Sequence, residues 1–331
     1  MKSFGIWYSN LNTQKVEEKP CEEKFSVDFH INLWDLGVNK STEVKPFIDI
    51  GLSITAFREL DKIYFQIPFR VEREELIDLT DTFSETMIAN LVFNDDCRFQ
   101  RDSNNICSLE LSEDIGNFRL LYKLSEAVIE WNENFGTSII FDLETIRNDA
   151  AYNAYKDVYI RFRIQSNKIK EELFCKINRK NWFLESGFNE TKIIDIKVNK
   201  KRNMSEENLK IMRRNNYRFV DFRKIHFLVM EPANNDVEVL GKDFIECRKL
   251  ESEWGNYLKQ ESEIGDIIAY HWKAKEKDGS IKEYANMVKV TSATTTWRII
   301  IVYILVVILI GVFTNMIFTY LLVPLFSCFL V

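Results

Sequence analysis

Apolar and polar positions alternate strictly over three stretches in the first part of the chain, and this period of two predicts β-strands. The stretches run from Phe25 to Trp34, from Ile48 to Ala56 and from Ile63 to Val71. Because the links between them are short, an antiparallel meander is the expected arrangement. Pro68 cannot donate a ladder hydrogen bond, so we expect the third strand to lie at a sheet edge or to carry a bulge.

The spacing of apolar positions changes to three and four residues over residues 72–92, among many acidic side chains. This spacing predicts an amphipathic helix whose first turns are acidic. Helices are also expected over Glu144–Tyr155, over Ser205–Arg214, where Ser205 can act as the cap, and over Phe244–Leu258.

Further strand patterns occur at Ile106–Leu111, Phe118–Leu121, Thr137–Leu143, Val158–Ile164, Ile193–Val198 and Phe219–Met230. The last two patterns, Ile267–Lys275 and Ile281–Val290, flank Asp278 and Gly279, a pair that favours a hairpin turn. The expected fold class is therefore α+β, with a strand-rich and mainly antiparallel body.

The C-terminal run from Ile299 to Val331 contains no Asp, Glu, Lys, Arg or His. About 20 apolar residues cross a bilayer as a helix, so this run is long enough to be a transmembrane helix. One arrangement is a single helix over Ile299–Leu322, with Pro324 turning an apolar tail along the far interface. The other is a re-entrant hairpin that turns near Asn315, but its arms of about 16 residues are short for spanning. We therefore favour a single span.

The residues around this run predict how it would lie in a membrane. Trp297 and Arg298 stand at its entry, where an amphipathic ring and a cation favour the headgroup layer. Arg298 and Lys289 place positive charge on the N-terminal flank, so the positive-inside rule predicts a cytoplasmic body. Asn315, the strongly polar side chain of the span, predicts a helix–helix contact in a homo-oligomer, and local solvation is the alternative.

The N-terminus lacks the apolar core and cleavage site of a signal peptide, and the scattered cysteines are typical of a reducing compartment. A composition rich in Lys, Asn and Ile is typical of an AT-rich bacterial genome. We therefore expect a C-terminally anchored, single-pass protein of a bacterial inner membrane, with the lipid bilayer as one partner.

The net charge of −6 conceals two unlike portions of the chain. Residues 1–150 carry a net charge of −13, and the rest of the chain carries +7. This asymmetry suggests an acidic strand-rich portion at 1–150, a basic α+β portion at 151–296 and the membrane anchor at 297–331. No linker separates the first two portions, so one continuous domain is the alternative.

Basic residues gather between Arg161 and Lys224, with aromatic residues interleaved. Cations beside rings can bind phosphates while stacking bases, and a basic face can also bind anionic lipid headgroups. The simpler alternative is a solvated basic face that pairs with the acidic portion. The candidate anion- or nucleotide-binding residues are Arg161, Arg163, Lys200, Lys201, Arg202, Arg213, Arg214 and Arg218.

The residue types of a catalytic or metal centre do not form a familiar motif in this sequence. His30, His226 and His271 lie far apart along the chain, and no Gly-rich phosphate loop, HExxH pattern or nucleophile elbow occurs. Asp142 and Glu144 end a strand pattern without a third ligand nearby. We therefore expect no catalytic residue, no metal and no cofactor.

These features predict a membrane-anchored sensor or effector whose body binds a ligand or partner. A conformational change caused by this binding would pass through Ile281–Val290 and a Thr-rich connector to the membrane helix, because a short junction couples two parts better than a flexible linker. A membrane-perturbing effector of bacterial phage defence is one concrete version. The alternatives are a membrane-tethered enzyme acting on nucleic acid or a phosphorylated substrate, and a scaffold that recruits a cytosolic partner.

Overall fold

The computed structural model describes residues 2–10, 25–39, 42–43, 45–102, 105–134, 136–177, 189–241, 243–258, 266–276, 280–293 and 297–322. The strands are β1 (Gly5–Asn10), β2 (Ser26–Trp34), β3 (Val38–Asn39), β4 (Thr42–Glu43), β5 (Phe47–Thr55), β6 (Leu60–Ile67), β7 (Leu76–Asp78), β8 (Cys97–Arg101), β9 (Cys107–Leu111), β10 (Arg119–Tyr122), β11 (Val128–Asn132), β12 (Gly136–Asp142), β13 (Asp157–Ile164), β14 (Phe174–Lys176), β15 (Asn189–Val198), β16 (Arg218–Phe219), β17 (Phe222–Pro232), β18 (Asp236–Val239), β19 (Glu246–Lys249), β20 (Ile267–Lys275) and β21 (Tyr284–Ala293). The α-helices are α1 (Thr86–Phe93), α2 (Leu143–Asn148), α3 (Lys168–Leu173), α4 (Glu206–Arg214), α5 (Trp254–Leu258) and α6 (Trp297–Ile317).

In the described part of the chain, three larger sheets build the body, and β3 and β4 form a separate two-stranded sheet. The largest has ten strands in the order β19-β20-β17-β2-β5-β13-β10-β9-β8, with β7 added beside β13. A five-stranded sheet has the order β11-β12-β6-β1-β16, and a four-stranded sheet the order β14-β15-β21-β18. Among the strands described, only β2 with β17 and β10 with β13 pair in parallel. The strand-rich, mainly antiparallel α+β class is therefore confirmed.

The main core lies between the largest sheet and the five-stranded sheet. Phe65 of β6 has its ring centroid 6.3 Å from that of Phe29 on β2 and 5.4 Å from that of Phe162 on β13. Residues of the four-stranded sheet, among them Ile196 and Val288, belong to the same core. On the opposite, outer face of the largest sheet, Trp34 of β2 packs against Trp254 in α5. Strand β2 is therefore buried on both faces over most of its length, and not half-buried as its alternation implied.

The third alternating strand does not continue the meander. Strands β2 and β5 pair as expected, but β6 enters the five-stranded sheet between β1 and β12. It is thus an internal strand, and the predictions of a meander and of an edge position were wrong. The alternative, a bulge, does occur in its pairing with β1, but between Leu60 and Lys62 and not at Pro68. Since β6 ends at Ile67, Pro68 follows the last paired residue and leaves the ladder intact.

The helix predicted over Glu144–Tyr155 ends at Asn148, and in two other predicted helices a strand replaces part of the helix. In residues 72–92 the second half forms α1, while Leu76–Asp78 becomes β7 and pairs with Phe162–Ile164 of β13. Within Phe244–Leu258, Glu246–Lys249 becomes β19 and pairs with β20. In both segments a sheet edge offers backbone hydrogen bonds, and this pairing overrides the local helical spacing.

The predicted hairpin of the last two strands was also wrong. Strand β20 pairs with β17 and β19, whereas β21 pairs with β15 over ten residues and with β18. The strands therefore belong to different sheets, each with longer-range partners. Asp278 and Gly279 lie outside the described residues.

The largest sheet draws on both charge portions of the chain. Strands β2 and β5 precede residue 150, and β13, β17 and β20 follow it. Strand β5 pairs with β13, and β2 pairs with β17. The acidic and basic portions are therefore interleaved in one sheet.

The C-terminal helix α6 continues into a π-helical turn at Phe318–Leu322. Its segment Ile300–Tyr320 has 21 residues with a mean hydropathy of 2.8, which is long and apolar enough to cross a membrane. Trp297 and Arg298 are its first two residues, and Asn315 lies within it with an exposed side chain. Because the helix continues through Asn315, a hairpin turn there is excluded; Pro324 lies beyond the part that the structure describes.

Candidate functional site

The predicted anion-binding residues divide into two groups on opposite sides of the body. Arg161 and Arg163 lie on β13 and share the outer face of the largest sheet, but they are only 2% and 7% exposed. The others lie around α4 and on β16, beside the outer face of the five-stranded sheet: Lys200, Lys201, Arg202, Arg213, Arg214 and Arg218. The fold thus does not bring all eight residues around one pocket.

The group around α4 is largely exposed. Ser205 caps this helix, accepting a hydrogen bond from the backbone N–H of Asn208 at 3.2 Å, as predicted. The Lys201 ammonium lies 5.5 Å from the Phe219 ring centroid, and Lys200 pairs with Glu283. Exposed cations and a nearby ring fit a solvated basic face as well as a loose anion-binding surface.

Asp49 on β5 holds Arg163 in a fully bonded network. The Arg163 Nε and Nη2 atoms donate to the two Asp49 carboxylate oxygens at 2.7 and 3.1 Å. Trp34 Nε1 and the Tyr257 hydroxyl also donate to Asp49, at 3.0 and 2.7 Å. The carboxylate is fully buried, and because both of its oxygens bind Arg163, its negative charge neutralises that guanidinium.

Arg161 lies next to this network but has weaker partners. Its Nη1 donates to the Tyr159 hydroxyl at 3.3 Å and its Nη2 to the Tyr257 hydroxyl at 3.1 Å. Among the described residues, its Nε has no hydrogen-bond partner and no carboxylate forms an ion pair with it. A buried guanidinium that contacts neutral phenols retains most of its desolvation cost.

Gly51 provides the space in which this guanidinium lies. In register, Gly51 of β5 stands between His30 of β2 and Arg161 of β13. A Cβ atom at Gly51 would lie 2.8 Å from the Tyr159 hydroxyl and 3.1 Å from Arg161 Nη1. Any side chain here would therefore displace the polar groups above the strand.

All three histidines of the chain meet on the same face. His226 Nδ1 lies 2.9 Å from His271 Nε2, and the ring centroids of His30 and His226 are 4.8 Å apart. Strands β2, β17 and β20 carry them, and each of the three residues is partly exposed. We call His30, His226, His271 and Arg161 the histidine–arginine cluster. Sequence reasoning did not predict it, because the only local signal was that His30 and His271 occupy polar positions of their strands.

Burial and positive neighbours keep these histidines neutral. Burial, followed by the charges of His271 and nearby lysines, lowers the pKa of His226 to about 4. Burial and then His226 and Arg161 lower the pKa of His30 well below its ordinary value. Burial also lowers the pKa of His271. At neutral pH, therefore, one of the two facing nitrogens of His226 and His271 donates a hydrogen bond and the other accepts it.

The surroundings of the cluster favour an anion over a metal cation. No three His, Cys, Asp or Glu side chains in the described ranges come close enough to hold a metal ion. Lys224 and Lys273 act on His226 with positive charge, and Asp28 is held by Arg223 in a bidentate pair at 2.8 and 2.5 Å. A cation would meet repulsion here, whereas an anion would meet several unneutralised donors.

A second buried cluster joins the largest sheet to the four-stranded sheet. Lys192 of β15 pairs with Asp35 and, at 2.8 Å, with Glu231 of β17. Asn235 donates to the other oxygen of Glu231 at 2.8 Å. Burial raises the pKa of Glu231 to about 7, against the opposing effect of Lys192. We call Asp35, Lys192 and Glu231 the acidic triad.

Comparison with known proteins does not assign a family to the chain. No protein family matches it. No curated protein matches it either. Among solved structures, it has some similarity to a yeast delta-COP-I mu-homology domain complexed with a Dsl1 WxWxV peptide, with 10% sequence identity, coverage of 82% of this chain and 75% of that one, and a TM-score of 0.19. A likeness at that score supports no argument about fold or function.

Proposed function

We propose that this protein is a membrane-anchored sensor or effector whose cytosolic body passes ligand binding to the helix α6. The observation that supports this most directly is the short junction between the two parts. Strand β21 ends at Ala293, and the apolar helix begins at Trp297. A displacement of β21 would therefore reach the membrane segment without being absorbed by a long linker.

The position of β21 supports a mechanical link. It lies inside the four-stranded sheet between β15 and β18, and Val288 and Val290 belong to the main core. Its neighbour β15 carries Lys192, the cation of the acidic triad, while Asp35 directly follows β2 and Glu231 lies at the end of β17. A shift of those two strands would move the strand pair that leads into α6.

In this proposal α6 crosses a bacterial inner membrane, with Trp297 and Arg298 at the cytoplasmic interface. Copies associate through Asn315, whose polar side chain favours contact with another helix in lipid. Clustered helices would then perturb the bilayer, as in an effector of phage defence. An anionic ligand is the expected trigger, because the basic residues of the body favour negative charge.

The first experiment tests membrane insertion of α6. Ile308→Lys places a charge near the middle of the apolar segment, at a cost of about 2.5–3.5 kcal/mol for insertion. We expect this variant to shift from the membrane fraction to the soluble fraction, whereas Ile308→Leu remains in membranes. Equal fractionation of the two variants would contradict the anchor.

The second experiment tests the effector activity by dye leakage on induction in bacteria. We expect leakage from the full chain, none from the chain truncated after Ala293, and reduced leakage from Asn315→Leu. Thr319→Leu serves as the control, since it removes a polar group from the same helix at another position. Toxicity that survives the truncation would instead indicate a soluble activity.

A further inference from the structure

We propose that the histidine–arginine cluster binds a phosphoryl group, carried either by a soluble molecule or by a lipid headgroup. The proposal deepens the proposed function by naming the class of its ligand. Binding at this site can nevertheless be measured apart from any effect on the membrane, so the two can fail separately.

The first argument is an imbalance of buried charge. Arg161 and Arg163 are both buried on β13, and Asp49 is the carboxylate between them. Arg163 takes both oxygens of that carboxylate in a bidentate pair. The group therefore keeps about one uncompensated positive charge, with Arg161 Nε lacking a partner in the described part of the chain. A bound anion would supply the missing charge and acceptor.

The second argument is the set of charges around the histidines. Lys224 and Lys273 flank His226, and Arg248 and Lys273 act on His271 with positive charge. The acids nearby are Asp28, which Arg223 holds, and Glu246, which faces His271 from the edge strand β19. Cations and potential N–H donors thus outnumber carboxylates on this face, which raises the local concentration of anions.

The third argument is geometry. His226, His30, Gly51 and Arg161 are successive cross-strand partners on β17, β2, β5 and β13. The missing side chain of Gly51 leaves room for polar groups over β5, since the Tyr159 hydroxyl, Arg161 Nη1 and His30 Cβ lie 2.8, 3.1 and 3.2 Å from the position of a Cβ atom there. The three histidines are partly exposed, whereas Arg161 is buried beneath this face.

The number of donors favours a phosphoryl group over a carboxylate. One guanidinium, three imidazoles and two ammonium groups surround the face, more than a single carboxylate can satisfy. A phosphoryl group offers at least three acceptor oxygens and carries up to two charges, and arginine is well suited to it. Neutral histidines can take up protons as the dianion binds, so the site adapts its charge to the ligand.

The test uses the full chain in phosphatidylcholine nanodiscs, titrated with inorganic pyrophosphate. Calorimetry measures the affinity, and NMR follows the histidine side chains. We expect His226→Gln and Gly51→Ala each to weaken binding by about tenfold or more, as the loss of a hydrogen bond to a charged group predicts. The matched control, Arg213→Gln with Arg214→Gln, removes two exposed cations from α4 and should change the affinity by less than about twofold.

Thermal unfolding establishes that each variant is folded. If His226→Gln or Gly51→Ala does not fold, His271→Gln is used in its place. The proposal is overturned if folded His226→Gln and His271→Gln bind pyrophosphate as the wild type does. It is equally overturned if only the α4 double variant loses binding, because the phosphoryl group would then bind the exposed basic group.

A second set of nanodiscs containing phosphatidylglycerol distinguishes the source of the ligand. If this lipid shifts the His226 and His271 resonances without pyrophosphate, the ligand is a headgroup; shifts caused only by pyrophosphate indicate a soluble ligand. Resonances that neither probe shifts would contradict the proposal. If leakage still responds to pyrophosphate in His226→Gln, the sensor function stands but this site is not its ligand site. If pyrophosphate binds at the site and no leakage occurs under any condition, the site stands and the sensor function is contradicted.

Discussion

The histidine–arginine cluster and the acidic triad use the same two strands but have opposite charge. His30 lies on β2, and Asp35 directly follows that strand. His226 and Glu231 both lie on β17. Beside the first region, two buried guanidinium groups have one carboxylate, Asp49, which pairs with Arg163, whereas in the second region two carboxylates share the ammonium of Lys192.

The two regions also differ in exposure to solvent, and this difference determines how the excess charge of each region can be compensated. The histidines are partly exposed, so a ligand can compensate the excess positive charge. Glu231 is fully buried, so a proton is the available means, and burial raises the pKa of its carboxyl group to about 7. An unbalanced charge near the surface can therefore be compensated by a ligand, whereas one deep inside the protein is compensated by a proton.

The largest expected effect is that of Lys192→Met. This change leaves Asp35 and Glu231 buried without their cation, and breaking a buried pair in this way costs about 3–5 kcal/mol. The measurement is the free energy of unfolding in urea at pH 7.5. Lys289→Met is the control, since its pair with Glu238 is largely exposed and should contribute less than about 1 kcal/mol. Similar losses of unfolding free energy in both variants would mean that the acidic triad contributes no more to stability than a surface ion pair.

The next effect is a loss of folding stability as the pH rises, caused by Glu231. Because the folded state raises the pKa of Glu231 to about 7, the folded protein retains a proton that the unfolded chain releases near pH 4.5. The stability is therefore complete below pH 4.5, falls as the pH rises to about 7 and is level above it. Glu231→Gln should remove a decrease on the order of 3 kcal/mol from the unfolding curves. An unchanged difference between the two proteins across this range would contradict the raised pKa.

A smaller effect of opposite sign is expected for His226. Its pKa is about 4 in the folded protein and near 6.5 when unfolded, so the unfolded chain takes up a proton first as the pH falls. The stability contributed by neutral His226 is present above pH 6.5 and is lost towards pH 4. Because the ring is partly exposed, we expect a loss on the order of 1 kcal/mol relative to His226→Gln. Unfolding measured at intervals between pH 4 and 7 gives this difference directly, and parallel curves would refute it.

The smallest expected effect is the coupling between the two regions. His226 and Glu231 lie about 16 Å apart along β17, because a strand rises about 3.3 Å per residue. Substitutions at such a distance usually add to within about 0.5 kcal/mol, so His226→Gln and Glu231→Gln should be additive in urea unfolding at pH 7.5. An interaction energy above about 1 kcal/mol would show that β17 transmits a change from one region to the other.

Local patterns predicted many elements of this fold correctly. The alternation around Phe29 and Ile50 predicted β2 and β5, and Ser205 marked the start of α4. The charge-free run predicted the helix through Asn315. These features depend on neighbours within a few residues, so the sequence displays them directly.

Long-range pairing could not be predicted in the same way. The alternation of β6 was visible, but its choice of β1 and β12 as partners depends on burying Phe65 against the other sheet. Leu76–Asp78 has a helical pattern and still forms a strand, because the edge of β13 is available there. A local pattern carries no information about such partners.

Three features follow from local sequence alone: the strand-rich class, the position of the apolar helix and the shared face of Arg161 and Arg163. Period and composition are local properties, and residues two apart on a strand share a face in any fold. Only the tertiary structure decided that this face is buried, that Asp49 takes one arginine and that three distant histidines lie beside the other. The physical reason is that burial and charge compensation depend on which strands become neighbours, and the two-residue period of a strand does not specify its neighbour.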